Sequence, residues 1–134
     1  MPVNLDRLRT SCLSFTGAVE DYPFGPEIAV FRVRAPQRAA IPNRGKIFAL
    51  VRLDVHPPAI SLKCDPALAV QLRAANPEIT GAWHLNKKHW NSVRLDGALS
   101  PGTVLDMIED SYDLVVASLT AEQRASLGWS AGAP

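Results

Sequence analysis

Cysteine is scarce in this 134-residue sequence, net charge is nearly absent, and long apolar runs are missing. Cys12 and Cys64 lie far apart and form no C-x-x-C motif. With no secretory apolar region at the N-terminus, the expectation is a reduced, cytoplasmic protein rather than a secreted disulfide scaffold. No apolar stretch approaches the roughly 18 residues of a membrane span. The net charge of +1 gives no bulk argument for nucleic acid, membrane or acidic substrates. Neither G-x-G-x-x-G nor a phosphate-cradling G-x-x-x-x-G-K occurs. His84 and His89 are five residues apart, which does not place two ligands on one helix face, and no third His or Cys lies at a zinc spacing. No nucleophile stands with a paired base and an orienting carboxylate. The expectation is therefore a protein without metal, cofactor or catalysis.

What is present suits one domain. A chain of this length buries roughly two thirds of its extended-chain surface and folds without a staple. A hydrophobic fraction of 47% with 20% charged residues is that of a globular protein. Four segments carry helical spacing. Asn4 caps a helix over Leu5 to Phe15, and Asp65-Pro66 opens one with a Leu68, Leu72, Ala75 stripe. Ser100-Pro101 opens a third, lined by Leu105, Ile108, Tyr112, Val115 and Leu119. Thr120 and Gln123 have capping-box spacing for a short fourth that ends at Gly128. Between them, residues 28–34, 46–53, 59–63 and 89–95 read as strands, with 82–86 a further candidate. Close neighbouring strands favour antiparallel pairing, and terminal helices favour an α+β, two-layer domain with helices on one face of the sheet.

Strand parity then assigns faces. Ala29, Phe31 and Val33 oppose Val30, Arg32 and Arg34. Ile47, Ala49, Val51 and Leu53 oppose Lys46, Phe48, Leu50 and Arg52. Ile60 and Leu62 oppose Ser61 and Lys63, and Asn91, Val93 and Leu95 oppose Trp90, Ser92 and Arg94. With the apolar sets against the helices, the other face carries Arg32, Arg34, Lys46, Arg52, Lys63 and Arg94, interleaved with Phe48 and Trp90. No strand carboxylate joins this set. From Arg32 to Arg94 the chain has a net charge of +8, and from Leu95 onward −5. A basic face with aromatic interruptions is the footprint of a nucleic-acid binder, and equally of a wet sheet face kept soluble by Lys and Arg.

The densest polar chemistry is Trp83 to Ser92, WHLNKKHWNS. Lys87 and Lys88 suit phosphates or acidic side chains, while Asn86, Asn91, His84 and His89 offer directional hydrogen bonds. Cys64 reads as a small packed hydrophobe and Asp65 as a helix cap.

These residues also resemble a family. Gly17 to Gly25 (GAVEDYPFG), Val30 to Val33, Gly45 to Ala49, Leu62 to Pro66 (LKCDP), His84 to Trp90 (HLNKKHW), Leu95 to Gly97 and Ser111 to Val115 are similar, in order, to the MmcQ/YjbR family. The resemblance implies a CyaY-like α+β fold, a bacterial origin and DNA binding by a double-wing arrangement, with no catalytic residues to carry over. Against the family's tight hairpin, Ala35 to Arg44 reads as a loop insertion. The likeness to bacterial frataxin does not bring iron binding, since the first helix offers Asp6 as its one acid. The leading expectation is that Arg32, Arg34, Arg52, Lys63, Lys87, Lys88 and Arg94 meet the DNA backbone. His84, Asn86, His89 and Asn91 would refine recognition. The alternative is a protein- or small-ligand-binding module using the Trp83–Trp90 surface.

Overall fold

Each helix begins where a side chain can take up N–H groups that have no partner inside the helix. The computed structural model, which describes residues 4–34, 45–82, 85–96 and 99–128, places α1 at Leu5–Leu13, with Asn4 Oδ1 accepting from the N–H groups of Asp6 and Arg7. α2 spans Pro66–Ala75, and Asp65 Oδ1 accepts from Ala67 and Leu68. α3 spans Pro101–Ala117 behind Ser100, and α4 spans Ala121–Ser126 behind the Thr120/Gln123 capping box. The four expected starts are all present. α1 stops two residues short of Phe15, at a Ser14 cap.

Six strands form one antiparallel sheet in the order β1-β2-β3-β4-β6-β5. They are β1 (Ala18–Asp21), β2 (Ile28–Val33), β3 (Lys46–Arg52), β4 (Ala59–Lys63), β5 (Ile79–Gly81) and β6 (Trp90–Arg94). β1 and β5 are short and are not among the strands expected from the sequence pattern; the strand expected at 82–86 falls partly outside the described residues, and Ala82, Leu85 and Asn86 belong to no strand. The loop expected as an insertion at 35–44 falls outside the described residues. Leu8 and Cys12 of α1, with Val104, Ile108, Tyr112 and Val115 of α3, pack on Phe31, Val33, Ala49, Val51, Ile60, Leu62 and Val93. This is the expected α+β architecture, with helices covering one face of an antiparallel sheet.

One expected parity is wrong, and the cause is local. Phe31 pairs with Ala49, but Arg32 pairs with Ile47, so Phe48 is an extra residue in a β-bulge. The bulge turns Phe48 into the core, where it is 0% exposed. Its ring meets Tyr112 edge-on at 5.4 Å, and Tyr112 stacks on Phe15 at 4.6 Å. Lys46 is turned to the helix side, where its Nζ donates to Ser118 O and Oγ at the end of α3. Ile47 takes the open face instead. The bulge also interrupts the β3–β4 ladder, and Ser111 of α3 repairs it. Its Oγ donates to Phe48 O at 2.6 Å and accepts from the Lys63 N–H at 2.8 Å.

The α2 stripe is a second correction. Ala69 is the buried residue of this helix, whereas Leu68 is 43% exposed, Leu72 half-buried and Ala75 exposed. α2 is tilted so that Leu68 borders a groove and Leu72 packs only against the edge of the core.

Candidate nucleic-acid interface

The antiparallel order brings the C-terminal ends of β2, β4 and β5 and the N-terminal ends of β3 and β6 to the same end of the sheet. Register fixes this: Val33 is opposite Lys46, Lys63 opposite Trp90, and Gly81 opposite Asn91. Arg34, Lys63, Lys87 and Lys88 all belong to this end, and none has an ion pair among the described residues.

The face itself differs from the expected basic surface. Arg52 and Arg94 lie on it, but each is tied to the acid two residues on. Arg52 forms two bonds to Asp54, at 3.1 and 2.8 Å, and Arg94 Nε meets Asp96 Oδ2 at 2.5 Å. The Arg52 guanidinium holds the Asp54 carboxyl below its ordinary range. Arg32 is mostly buried, with its Nε 3.5 Å from Asp21 Oδ2 but out of hydrogen-bond alignment, and its Nη1 donating to Gly45 O. The centre of the face is apolar. Ile28, Ile47, Leu50 and Ala59 floor a groove of about 550 Å³, with Ser61 and Ser92 side by side and Leu85 on its wall. The arginine charges are thus spent in local pairs, and the cations still available stand at the sheet end.

Residues 85–90 form a tight turn. Asn86 Oδ1 accepts from the Lys88 N–H, and Asn86 O accepts from His89 and Trp90. Asn86, Lys87 and Lys88 are exposed and His89 half-buried. Asn91 is not on the surface: it is 1% exposed, on the helix side. Its Oδ1 accepts from Arg73 Nη1 at 2.8 Å, and its Nδ2 points at Ala69 O, 3.4 Å away. Asn91 alternates with Trp90 and Ser92, so it shares the face of its partner Leu62 and has no edge left for a base. His84 lies outside the described residues.

Arg73 is the residue that sequence reasoning passed over. From α2 it donates to Lys87 O at 2.9 Å as well as to Asn91, clamping the turn to the helix layer. Gly81 is a second. A Cβ there would sit 3.2 Å from Lys87 Cγ, so the bare backbone makes room for the lysine stem. The turn therefore holds Lys87 by its carbonyl and stem and leaves the ammonium outward. The neutralising acids had a visible signal, because Val51 to Asp54 and Val93 to Asp96 both read V-R-L-D at a strand end. Among the described residues no group of three or more His, Cys, Asp or Glu is placed to hold a metal ion, and no helix is long and apolar enough to cross a membrane.

Residues 13–114 match the model of the family described as YjbR. The chain is 38% identical over 98 residues to the uncharacterized protein YbdF of Escherichia coli O157:H7, covering 73% of this chain and 72% of that protein. It is 38% identical over 81 residues to the uncharacterized protein YjbR of Escherichia coli strain K12, covering 60% and 69%. Among solved structures, the Deinococcus radiodurans protein DR2400, of domain DUF419, superposes with a TM-score of 0.83 at 34% identity, covering 97% of this chain and 91% of that one. A Pseudomonas syringae protein superposes with a TM-score of 0.66 at 28% identity, covering 84% and 99%.

Proposed function

The chain belongs to the YjbR family, and we propose that it is a non-catalytic DNA-binding protein that grips the phosphate backbone with one end of its sheet. The observation that carries this reading is the division of the cations. Arg32, Arg52 and Arg94 are paired with Asp21, Asp54 and Asp96. Arg34, Lys63, Lys87 and Lys88 are unpaired among the described residues and share one end. Unpaired cations release the counterions of phosphates, whereas a cation bonded to its own carboxylate has little to offer. Trp90, paired with Lys63, supplies an aromatic surface beside them. Such contacts fix position without reading sequence.

The test is binding of random-sequence duplexes at two salt concentrations. Four phosphate contacts give a slope of log K against log salt of about −3.6. Lys87→Ala with Lys88→Ala should weaken binding to all duplexes alike and flatten that slope by about 2. Arg52→Ala and Arg94→Ala should leave both nearly unchanged, which separates the sheet end from the sheet face. Absence of duplex affinity at low salt overturns the reading. The apolar groove on the open face favours a second reading, a module that binds an apolar ligand beside Leu85. Its binding would be insensitive to salt and to the lysine substitutions.

A further inference from the structure

Leu68 and the half-buried Leu72 of α2 face another apolar wall. Across from Leu68 and Leu72 stand Met107 and Leu114 of α3, with Leu114 36% exposed. The groove between them holds about 420 Å³, within the range of sites that enclose small molecules. From Met107 to Ala117 it follows α3 for about 15 Å, at 1.5 Å per residue. Large apolar side chains left half-exposed around a concavity of this size call for a partner.

The polar groups of the same groove say which partner. Asp65 stands at the head of α2, and Asp110 and Asp113 stand on α3, against the single charge of Lys63. One oxygen of Asp65 is taken by the α2 cap. Asp110 and Asp113 have no hydrogen bond or ion pair among the described residues, and they lie three apart, on one side of the helix. Two groups register the resulting field. The Asp113 carboxyl is pushed up by burial and then by Asp110, and the Cys64 thiol is pushed up by burial and then by Asp65 and Asp110, against smaller opposing effects of an Asp65 backbone hydrogen bond and of Arg73, which is bonded to Asn91 behind the groove.

We propose that the groove between α2 and α3 is a binding site for a small organic cation, an ammonium or guanidinium carried on an apolar body. The leucines and Met107 take the body, and Asp110 and Asp113 take the charge. A cation between the two carboxylates relieves their repulsion. A neutral or anionic molecule of the same shape would cover them without pairing them, which is costly. The proposal does not rest on the DNA reading, since Asp110 and Asp113, which take the charge, belong to α3, although Lys63 borders both sites.

The experiment uses the full chain with labelled Leu and Met methyl groups, observed by NMR at constant ionic strength. Tryptamine and phenethylamine are titrated as cations, and indole-3-propionate as the anion of matched shape. The expected result is saturable shifts at Leu68, Leu72, Met107 and Leu114 with both amines, at least tenfold weaker with the propionate. Asp110→Asn with Asp113→Asn should weaken the amines at least tenfold and make the probes equivalent. Leu114→Lys, at an exposed position of α3, should abolish amine binding by placing a cation in the groove, with an unchanged urea midpoint as the check on folding. The proposal is overturned if neither amine shifts these methyls up to about 10 mM, a concentration that detects even millimolar affinity. It is equally overturned if amine and propionate bind the wild type alike, if Leu114→Lys leaves amine binding intact, or if the shifts map elsewhere.

Discussion

Ser111→Ala should be one of the most damaging single-atom deletions in this protein. Ser111 is 0% exposed, and its Oγ serves two backbone groups that the β3 bulge has separated. Without it, Phe48 C=O loses a donor at 2.6 Å and the Lys63 N–H an acceptor at 2.8 Å. Leaving a buried polar group unsatisfied costs about 1–3 kcal/mol, so two cost about 2–6 kcal/mol. Alanine recovers roughly 1 kcal/mol by not burying a hydroxyl, which leaves a net loss of about 1–5 kcal/mol. Against a total of about 5–15 kcal/mol for a domain, that is a large share. The assay is urea unfolding followed by fluorescence, with the denaturant slope unchanged and the midpoint lowered. Ser111→Cys, which keeps a weak donor and acceptor, should fall between alanine and wild type. A midpoint within about 0.5 kcal/mol of wild type would refute the idea that the serine completes the interrupted ladder. Because Lys63 begins beyond this bond, the alanine variant should also loosen the sheet end and lower duplex affinity.

Four further outcomes are expected. Asp65→Ala should cost about 1 kcal/mol in the urea midpoint, since its carboxylate takes up two N–H groups of α2. Gly45→Ala should cost about 2 kcal/mol or more, because φ is +85° and a Cβ would stand 2.4 Å from Val33 O; a cooperative unfolding curve at the wild-type midpoint would contradict it. Arg73→Ala and Asn91→Ala should show a coupling of at least about 1 kcal/mol in a double-mutant cycle, and additive losses would mean that the two do not share a bond. Burial pushes the Cys12 thiol up to about 12 from an ordinary 9.0, so the unfolded chain releases this proton first as pH rises. Stability should then fall by roughly 1.4 kcal/mol per pH unit above the unfolded value, and Cys12→Ala should flatten the decline in urea midpoints.

How much of this was legible follows from the range of the interaction concerned. The caps at Asn4, Asp65, Ser100 and Thr120 act within four residues, so the pattern that predicts them is complete in the local sequence. Parity held along β2, β4 and β6, where the pleat is regular. It failed at Lys46 to Phe48 because the bulge is stabilised by a serine 63 residues away, and alternation alone has no sign of that. Asn91 was misplaced for a related reason. Its position on the apolar parity of β6 was visible, but the partner that makes burial of an amide affordable, Arg73, comes from another element. Leu68 and Leu72 have the spacing of a core stripe, and only the seating of α2 on β5 and β6 decides that they border a groove.

The site moved for a reason that composition hides. Residues 32–94 carry a net +8, and that sum treats Arg52 and Lys87 as equal. The two V-R-L-D segments cancel their own arginines within two residues, at the far end of the sheet from the lysine turn. Charge is therefore uneven along the strands rather than between the two faces. A polyanion attracted to this protein meets the strongest field at the strand ends, with the strands pointing toward it. Under the proposed function that orientation makes a specific demand: duplex contacts would come from turns clamped to the helix layer by Arg73 and Asn91, not from the pleated face. Weakening the clamp with Arg73→Lys, which keeps the positive charge but loses the guanidinium's hold on both Lys87 O and Asn91, should therefore reduce duplex affinity. Equal affinity in Arg73→Lys and wild type, measured at the same low salt, would show that Lys87 and Lys88 act as diffuse charge and need no fixed position.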